Sequence, residues 1–593
     1  MLPSIMGLFL STSSRLRQLA PPAPLSPSAR QADSQFLQPP FTEIPFDGRA
    51  ADVARTQPLL LKDVSSIRFL GNFGRALFWS AFEGYESLPG PAKRQLENWL
   101  MSLTEAKLIG SGKHPTKPWQ ELLKECKNSD TAMMDVRLWI FYDPHKSTPT
   151  GIEAQLVAGN LRLAYTVPLN REYFYSGYSS EPLLAEAAAR QMRSWMQGGG
   201  ASPAWNPLET LMRLMDGGLL DRGERGELVA RYLMMRAYDE ATRHLGICST
   251  GCSLAEFLRA LFSDNFARQI LAAKADNVAA RDAPTLEKAL GGGIVRFTHF
   301  AKLGDESGIT TRGLCAAFIR CAAFIAQPNQ AFVDVLIPIL LDPTQPITPS
   351  NMSAVLIQVK RRVRAGAPGQ YDFTAEQLGV FGDSDPPKPK DPLRQRPYCT
   401  LLMELGVKVK PPGQTSKTNA PAAAQTAKAS GQASKAASKA KAAGKAKAPA
   451  AAPAGPSLNV PPPSPAKLSI GQGPERRSPR GKQPPKHPRY NIRAYGCSNT
   501  VYKVIKKDEK EKFAALLLGN MKWSEEHHRQ SLRDCVEAML PTWTAENAYS
   551  WVPKTERPLG DDERAEGVEE GVQVPEYDSD ANDDDDEEEE EEE

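Results

Sequence analysis

Two neighbouring stretches decide the fold: Phe332–Leu341, FVDVLIPILL, and Ser353–Arg362, SAVLIQVKRR. Both are short apolar runs rich in Val and Ile. Gln327-Pro328-Asn329 precedes the first, and Asp342–Asn351 separates the two. Runs of this length and composition, bounded by turn residues, read as buried strands. Asp334 sits at the start of the first run; Gln358 and Lys360 close the second, with 23 residues between Asp334 and Gln358. Side chains two apart on a strand share a face, so Gln358 and Lys360 point the same way, and an adjacent strand can bring Asp334 beside them. A carboxylate with an amide oxygen is a donor set for Mg²⁺, which makes Asp334 and Gln358 the candidate metal ligands. A lysine there can polarise the attacking water or hold the charge of a phosphorane. Strand alternation puts Lys360 and Arg361 on opposite faces, so only one of them can face Asp334. In the competing arrangement Asp334 caps the Pro328–Gln330 turn and Lys360 points outward with Arg361 and Arg362.

Working outward, Cys321–Ile325 and Tyr398–Val409 read as further strands. Upstream, GERGELVARYLMMRAYDEATRHLG (223–246) places Leu228, Tyr232, Met235 and Tyr238 on one helical face and stops at Gly246. Helical spacing also begins near Val64 with Leu70, Phe73, Leu77, Phe78 and Phe82. It recurs over Ala92–Ile109, Glu181–Gln197 and Pro207–Leu214, and within 253–303. Met134–Tyr142, MDVRLWIFY, reads as a strand closed by Asp143-Pro144. Beyond residue 489, Tyr490–Ile505 reads as strands, and Lys510–Leu518 and Arg529–Leu540 as helices. Tyr490–Gly496 alternates with nothing local to cover it, so it needs a partner sheet. The fold class expected is α/β of the α+β kind: a helical N-terminal region, then a small mixed sheet flanked by helices.

Charge divides the chain further. Residues 412–489 hold 14 Lys or Arg and one acid, whereas 556–593 hold 21 acids and two Arg, in a chain of 593 residues whose net charge is only +2. The basic stretch includes ASKAASKAKAAGKAKAPAAAPAG, much like a linker-histone tail. Both stretches are expected to be disordered, because they have too few apolar groups to offset ordering entropy. The expected units are 1–33, a helical region 34–215, an α/β core 216–411, the basic linker 412–489, a segment 490–555 that packs on the core, and the acidic tail 556–593. Lys428, Lys435, Lys439, Lys441, Lys445 and Lys447 are spaced by small residues with no aromatic to stack on bases. With Arg476, Arg477 and Arg480 they form the expected phosphate-contacting set. The partner expected is nucleic acid, DNA in the first instance. ERRSPRGKQPPKHPR (475–489) resembles an import patch, so a nuclear or cytoplasmic location is favoured over a mitochondrial one.

Other chemistry is excluded. No run approaches 18 apolar residues, so no membrane span is expected. The eight cysteines are thinly spread and make no disulfide framework. Cys248-x3-Cys252, with His244 upstream, lacks the second pair that zinc requires. GSGK at 110–113 lacks the earlier glycine of a phosphate loop, has His114 where Ser or Thr belongs, and reads as a polar loop.

The spacing from Asp334 to Gln358-Val359-Lys360 resembles the core of the PD-(D/E)XK, restriction-endonuclease-like fold. That fold also tends to place a Glu on the preceding helix, in a pattern such as G-x-x-x-E, which Gly223 and Glu227 match. The resemblance extends to FLQPPFTEIPFD (36–47), NFGRALFW (72–79), RGELVARYL (225–233) and VRFTHF (295–300). It continues through VDVLIPILLD (333–342), MSAVLIQVKRR (352–362), PYCTLLMELGV (397–407) and IRAYGCSNTVYKVI (492–505). These are similar to a family expanded in mushroom-forming fungi that resembles Crinkler-type proteins, in which an NTPase module precedes an endonuclease-like domain. The resemblance covers most of residues 7–552 apart from the linker. It implies catalytic roles for Glu227, Asp334, Gln358 and Lys360, with Mg²⁺ as cofactor. Gln358 stands where the family has an acid, which leaves one carboxylate fewer for metal. LFLSTSSRL (8–16) looks like the last strand of an NTPase core with no phosphate loop before it, so no nucleotide is expected to bind. The function implied is a metal-dependent DNA phosphodiesterase. The alternative is a non-catalytic nuclear nucleic-acid-binding or effector protein.

Overall fold

The computed structural model describes residues 46–49, 58–112, 118–142, 147–166, 175–198, 204–216, 224–278, 283–327, 330, 332–362, 372–381, 396–407, 409–410, 487–518, 568–569 and 571–573. The chain divides into one unit of residues 1–412 and 485–593 and a second of residues 413–484. The second unit lies outside the described residues. So do the expectations for residues 1–33, Gly223, the phosphate-contacting Lys and Arg set, Arg529–Leu540 and most of the acidic tail.

The protein is α+β. Among the described residues, two small strand pairs stand apart from the main sheet. β1 (Leu163–Thr166) pairs with β2 (Tyr175–Gly177), and β10 (Val409–Lys410) pairs with β12 (Val568–Glu569). The main sheet comprises β3 (Cys252–Ser253), β4 (Ile294–Val295), β5 (His299–Lys302), β6 (Ala322–Ile325) and β7 (Val335–Leu340). It continues with β8 (Met352–Lys360), β9 (Tyr398–Glu404), β11 (Arg489–Tyr495) and β13 (Gly571–Gln573). The order is β13-β11-β9-β8-β7-β4-β3, with β6 also pairing β7 and β5 outside β6. β6, β7 and β8 form an antiparallel run; β8, β9 and β11 are parallel, as are β5 and β6. Hence β5, β6, β8, β9 and β11 all point one way, and their carboxyl ends lie along one edge.

Every residue of β7 and β9 is buried, as is every residue of β8 except Lys360. Strands covered on both faces read as continuous apolar runs, which is why these three were recognisable. Alternate residues serve two layers. Val335, Ile337, Ile339, Val355, Ile357 and Val359 join a large core. Its helices include α1 (Gly90–Ile109), α2 (Ser129–Leu138), α3 (Pro182–Gln197), α4 (Pro207–Asp216), α5 (Arg225–Ala241) and α6 (Leu254–Leu261). Leu336, Leu340, Met352, Ala354 and Leu356 face a smaller core, built on α7 (Thr311–Ile319) and Phe373–Val380. The last helix, α8 (Lys510–Leu518), joins the large core, where Phe513 stacks on Tyr232 of α5 with ring centroids 6.1 Å apart. β11 pairs with β9 over its full length, from Arg489↔Tyr398 to Tyr495↔Glu404, so chain beyond the linker extends the sheet begun before it.

Three expectations are corrected, the first being that Tyr490–Ile505 is strand only as far as Tyr495, after which the chain turns. Met134–Tyr142 is not a strand: Ser129–Leu138 is helix, and only the residues after it are extended. All ten residues of α2 are buried, so it shows no polar stripe, and a helix without one loses the 3.6-residue signature. The helical spacing from Val64 to Phe82 is likewise broken into Leu61–Val64, Ile67–Leu70 and Ala76–Ser80. Gly74 lies in the second break, with φ +94° and the Glu181 side chain where a Cβ would stand.

Candidate active site

The candidate residues meet at the carboxyl-end edge of the sheet. Ligands favour the crevice outside the carboxyl ends of strands in open sheets. Asp334 immediately precedes β7, next to the Val335↔Ile357 pair, and Gln358 immediately follows Ile357 on β8. Asp334 is pinned by its main chain: its N–H donates to Ile357 O at 2.8 Å, and its carbonyl accepts from Ala326 N–H at 2.9 Å. Its carboxylate Oδ2 accepts the Val359 N–H at 2.6 Å. Gln358 and Lys360 continue the row of Met352, Ala354 and Leu356; Gln358 is buried and Lys360 half-buried.

Glu227 comes from the first turn of α5, the helix over the opposite face, and meets this group at the end of the sheet. Burial, then repulsion from Asp334 and Glu224, pushes the Glu227 carboxyl up to about 7, against the opposing pull of Arg231 and Lys360. Burial likewise raises Asp334 above the usual carboxylate range, against the Val359 N–H, Lys360 and Arg231. Glu227, Asp334 and Lys360 are therefore within electrostatic reach of one another.

Arg361 goes elsewhere. Its Nη1 donates to Leu517 O at 3.2 Å, and its stem lies against α5, where a Cβ on Gly226 would come within 3.1 Å of the Arg361 Cβ. Of the two neighbours in sequence, Lys360 and not Arg361 acts on the two carboxylates, together with Arg231. The Asp334 carboxylate is bound to the β8 main chain; residues 328 and 329 of the expected turn lie outside the described residues.

Four further residues join the group and were not singled out from sequence. Arg231, one turn along α5, is fully buried; its Nη1 lies 3.8 Å from Glu227 Oε2, and its Nη2 lies 3.4 Å from Glu224 Oε2. Burial lowers its pKa, against Glu224 and Glu227. Lys302 ends β5 opposite Ile325, which is opposite Val335, which is opposite Ile357, so it lies in the sheet row next to Asp334 and Gln358 in sequence. Its Nζ lies 4.3 Å from the centroid of the Phe141 ring. Burial depresses its pKa, while Glu224 and Glu227 oppose the shift. The signal available in the sequence was a lysine closing the short run His299–Lys302.

Among the described residues, no three or more His, Cys, Asp or Glu side chains gather closely enough to hold a metal ion. Cys248 and Cys252 are buried free thiols. A metal at the candidate site would have two carboxylates and the amide oxygen of Gln358. That suffices for Mg²⁺, which commonly takes one or two carboxylates and keeps several waters.

A family model described as Domain of unknown function (DUF8736) matches residues 145–385, a segment that includes Glu227, Asp334, Gln358 and Lys360. No curated protein and no solved structure matches the chain.

Proposed function

We propose that the chain is a nuclease-like, nucleic-acid-associated protein whose site at the carboxyl-end edge hydrolyses phosphodiesters of DNA with Mg²⁺. The observation that carries this reading is that Asp334 and Lys360, on two paired strands, both act electrostatically on the carboxyl of Glu227 from the helix, and Lys360 acts on Asp334. The donor chemistry supports a cation: burial raises both half-buried carboxyls, and the charge of Asp334 raises that of Glu227 further. Asp334 and Glu227, with the Gln358 oxygen, would hold Mg²⁺, which when bound supplies positive charge to a water and to the phosphate oxygens. Lys360 directs an ammonium toward the same space and stabilises the charge that develops on the phosphate. Lys302 supplies a second cation on the Glu227 side, and Phe141 beneath it fixes its direction. The resemblance to the endonuclease-like part of Crinkler-type proteins supports the same assignment.

One observation favours a second reading, a non-catalytic nucleic-acid-binding or effector protein. Gln358 stands where a second strand carboxylate would be, and the fully buried Arg231 already offers charge to Glu227 at 3.8 Å. Plasmid nicking with Mg²⁺ or Mn²⁺ distinguishes the two. The first reading expects nicking by the wild type, falling at least about 100-fold in Lys360→Ala and Asp334→Asn. DNA binding without nicking, equal in all three proteins, would establish the second.

A further inference from the structure

Helix α5 carries the candidate site in its first turn and a different surface in its last turns. There, between α3, α5 and the segment 503–506 after β11, lies a cleft of about 430 Å³, within the size range of small-molecule sites. Its floor is apolar: Met192, Met235 and Tyr232 are almost fully buried. Met196 stands in its wall with 37% of its surface exposed. Methionine walls repack around flat or irregular apolar bodies.

The charge around this floor is unbalanced. Arg193, Arg236, Arg243, Lys503 and Lys506 line the cleft, against Asp239 and Glu240. Asp239 is held by Arg137 at 2.6 Å, and Arg236 by the buried Glu509 at 2.8 Å. Glu240 pairs with Arg243 at 3.4 Å, and Lys503 with Asp264 at 2.7 Å. Arg193 and Lys506 are left with no carboxylate partner among the described residues. Arg193 Nη2 donates to Cys248 Sγ at 2.7 Å, but burial raises the Cys248 pKa, so the thiol is neutral and does not cancel the guanidinium. The Glu240–Arg243 and Lys503–Asp264 pairs are exposed and weak, so both cations can turn toward an incoming anion.

We propose that this cleft binds a small organic anion, with its phosphate, carboxylate or sulfonate held by Arg193 and Lys506 and a flat apolar body lying on Met192, Met235 and Tyr232. Nine residues of helix separate Glu227 from Arg236, about 14 Å at 1.5 Å per residue, so the cleft is distinct from the carboxylate site. It does not depend on that site's chemistry.

The test uses the full chain and two probes, dAMP by calorimetry and 8-anilinonaphthalene-1-sulfonate by fluorescence. Saturable binding of either probe at one site is expected. Arg193→Gln and Lys506→Glu should each weaken it about tenfold, and Met196→Asp should weaken it further by placing a carboxylate in the wall. Lys506 is exposed, so its variant keeps the test valid if Arg193→Gln fails to fold. Inorganic phosphate should bind more weakly than dAMP, because it has no body to lie on the methionines. Absence of saturable binding for both probes would overturn the proposal. So would binding that survives Lys506→Glu and Met196→Asp unchanged, which would belong to the basic stretch 412–489.

Discussion

Lys302 and His299 sit on the same four-residue strand and illustrate opposite uses of burial. Lys302 is half-buried over Phe141; burial lowers its pKa, and Glu224 and Glu227 oppose the shift. If it holds phosphate, Lys302→Met should raise the dissociation constant for DNA measured in Ca²⁺ about five- to tenfold, while the melting temperature changes little. His299 is 2% exposed; its Nε2 lies 2.8 Å from Ser180 Oγ and its Nδ1 lies 3.2 Å from Thr298 Oγ1. Burial, then the nearby Arg320, Arg137 and Arg296, pushes its pKa down to about 3 from an ordinary 6.5. Between those values the unfolded chain binds the proton and the folded one does not. The stability His299 contributes is therefore complete above pH 6.5 and is lost as pH falls, by about 1.4 kcal/mol per unit. Urea unfolding at pH 7.0 and 5.5 should show a loss of about 1.3 kcal/mol, which His299→Gln should largely abolish. At this scale the sequence was partly legible. Asp334, Gln358 and Lys360 announced themselves through strand spacing. Lys302 and Arg231 did not, because no local pattern marks a residue whose neighbours come from other elements.

The sheet strands could be read because they are buried on both faces and carry uninterrupted apolar runs between turns. Helix α2 could not, for a related reason: it too is buried on every side, and its polar residues are spent on internal pairs rather than on a solvent face. Arg137, with no exposed surface, makes two bonds to the Asp239 carboxylate of α5, at 2.7 and 2.6 Å, and a third to Thr298 O at 2.9 Å. This pair ties α2 to α5. Asp239→Ala would strand a buried guanidinium, and denaturant unfolding should show a loss of about 3 kcal/mol or more. A loss below about 1 kcal/mol would mean that water reaches Arg137.

Across the whole molecule, the sequence places a basic stretch between two strands of one sheet and an acidic tail after them. Binding of DNA through the lysines of 412–489 should be indifferent to sequence and should weaken steeply between about 50 and 200 mM salt. The tail should compete for the same lysines, so removing residues 576–593 should tighten binding at low salt. Fluorescence anisotropy with a salt series tests both; a flat salt response would place the contacts elsewhere.

The pairing of β11 with β9 has a consequence for how the chain can be divided. Two adjacent strands are joined through more than 80 residues, from Leu405 to Pro488. Loop-closure cost grows only with the logarithm of length, so removing half of that connection should stabilise the fold by about 0.6 kcal/mol and no more. The connection acts as a tether that sets an effective concentration, while the seven-residue pairing, the Phe513–Tyr232 stack and the Arg236–Glu509 ion pair hold the pieces together. Residues 1–411 and 485–593, produced as separate polypeptides, should accordingly reconstitute by fragment complementation and co-elute on gel filtration. The C-terminal polypeptide would then be a ligand of the rest, titratable and displaceable like any other.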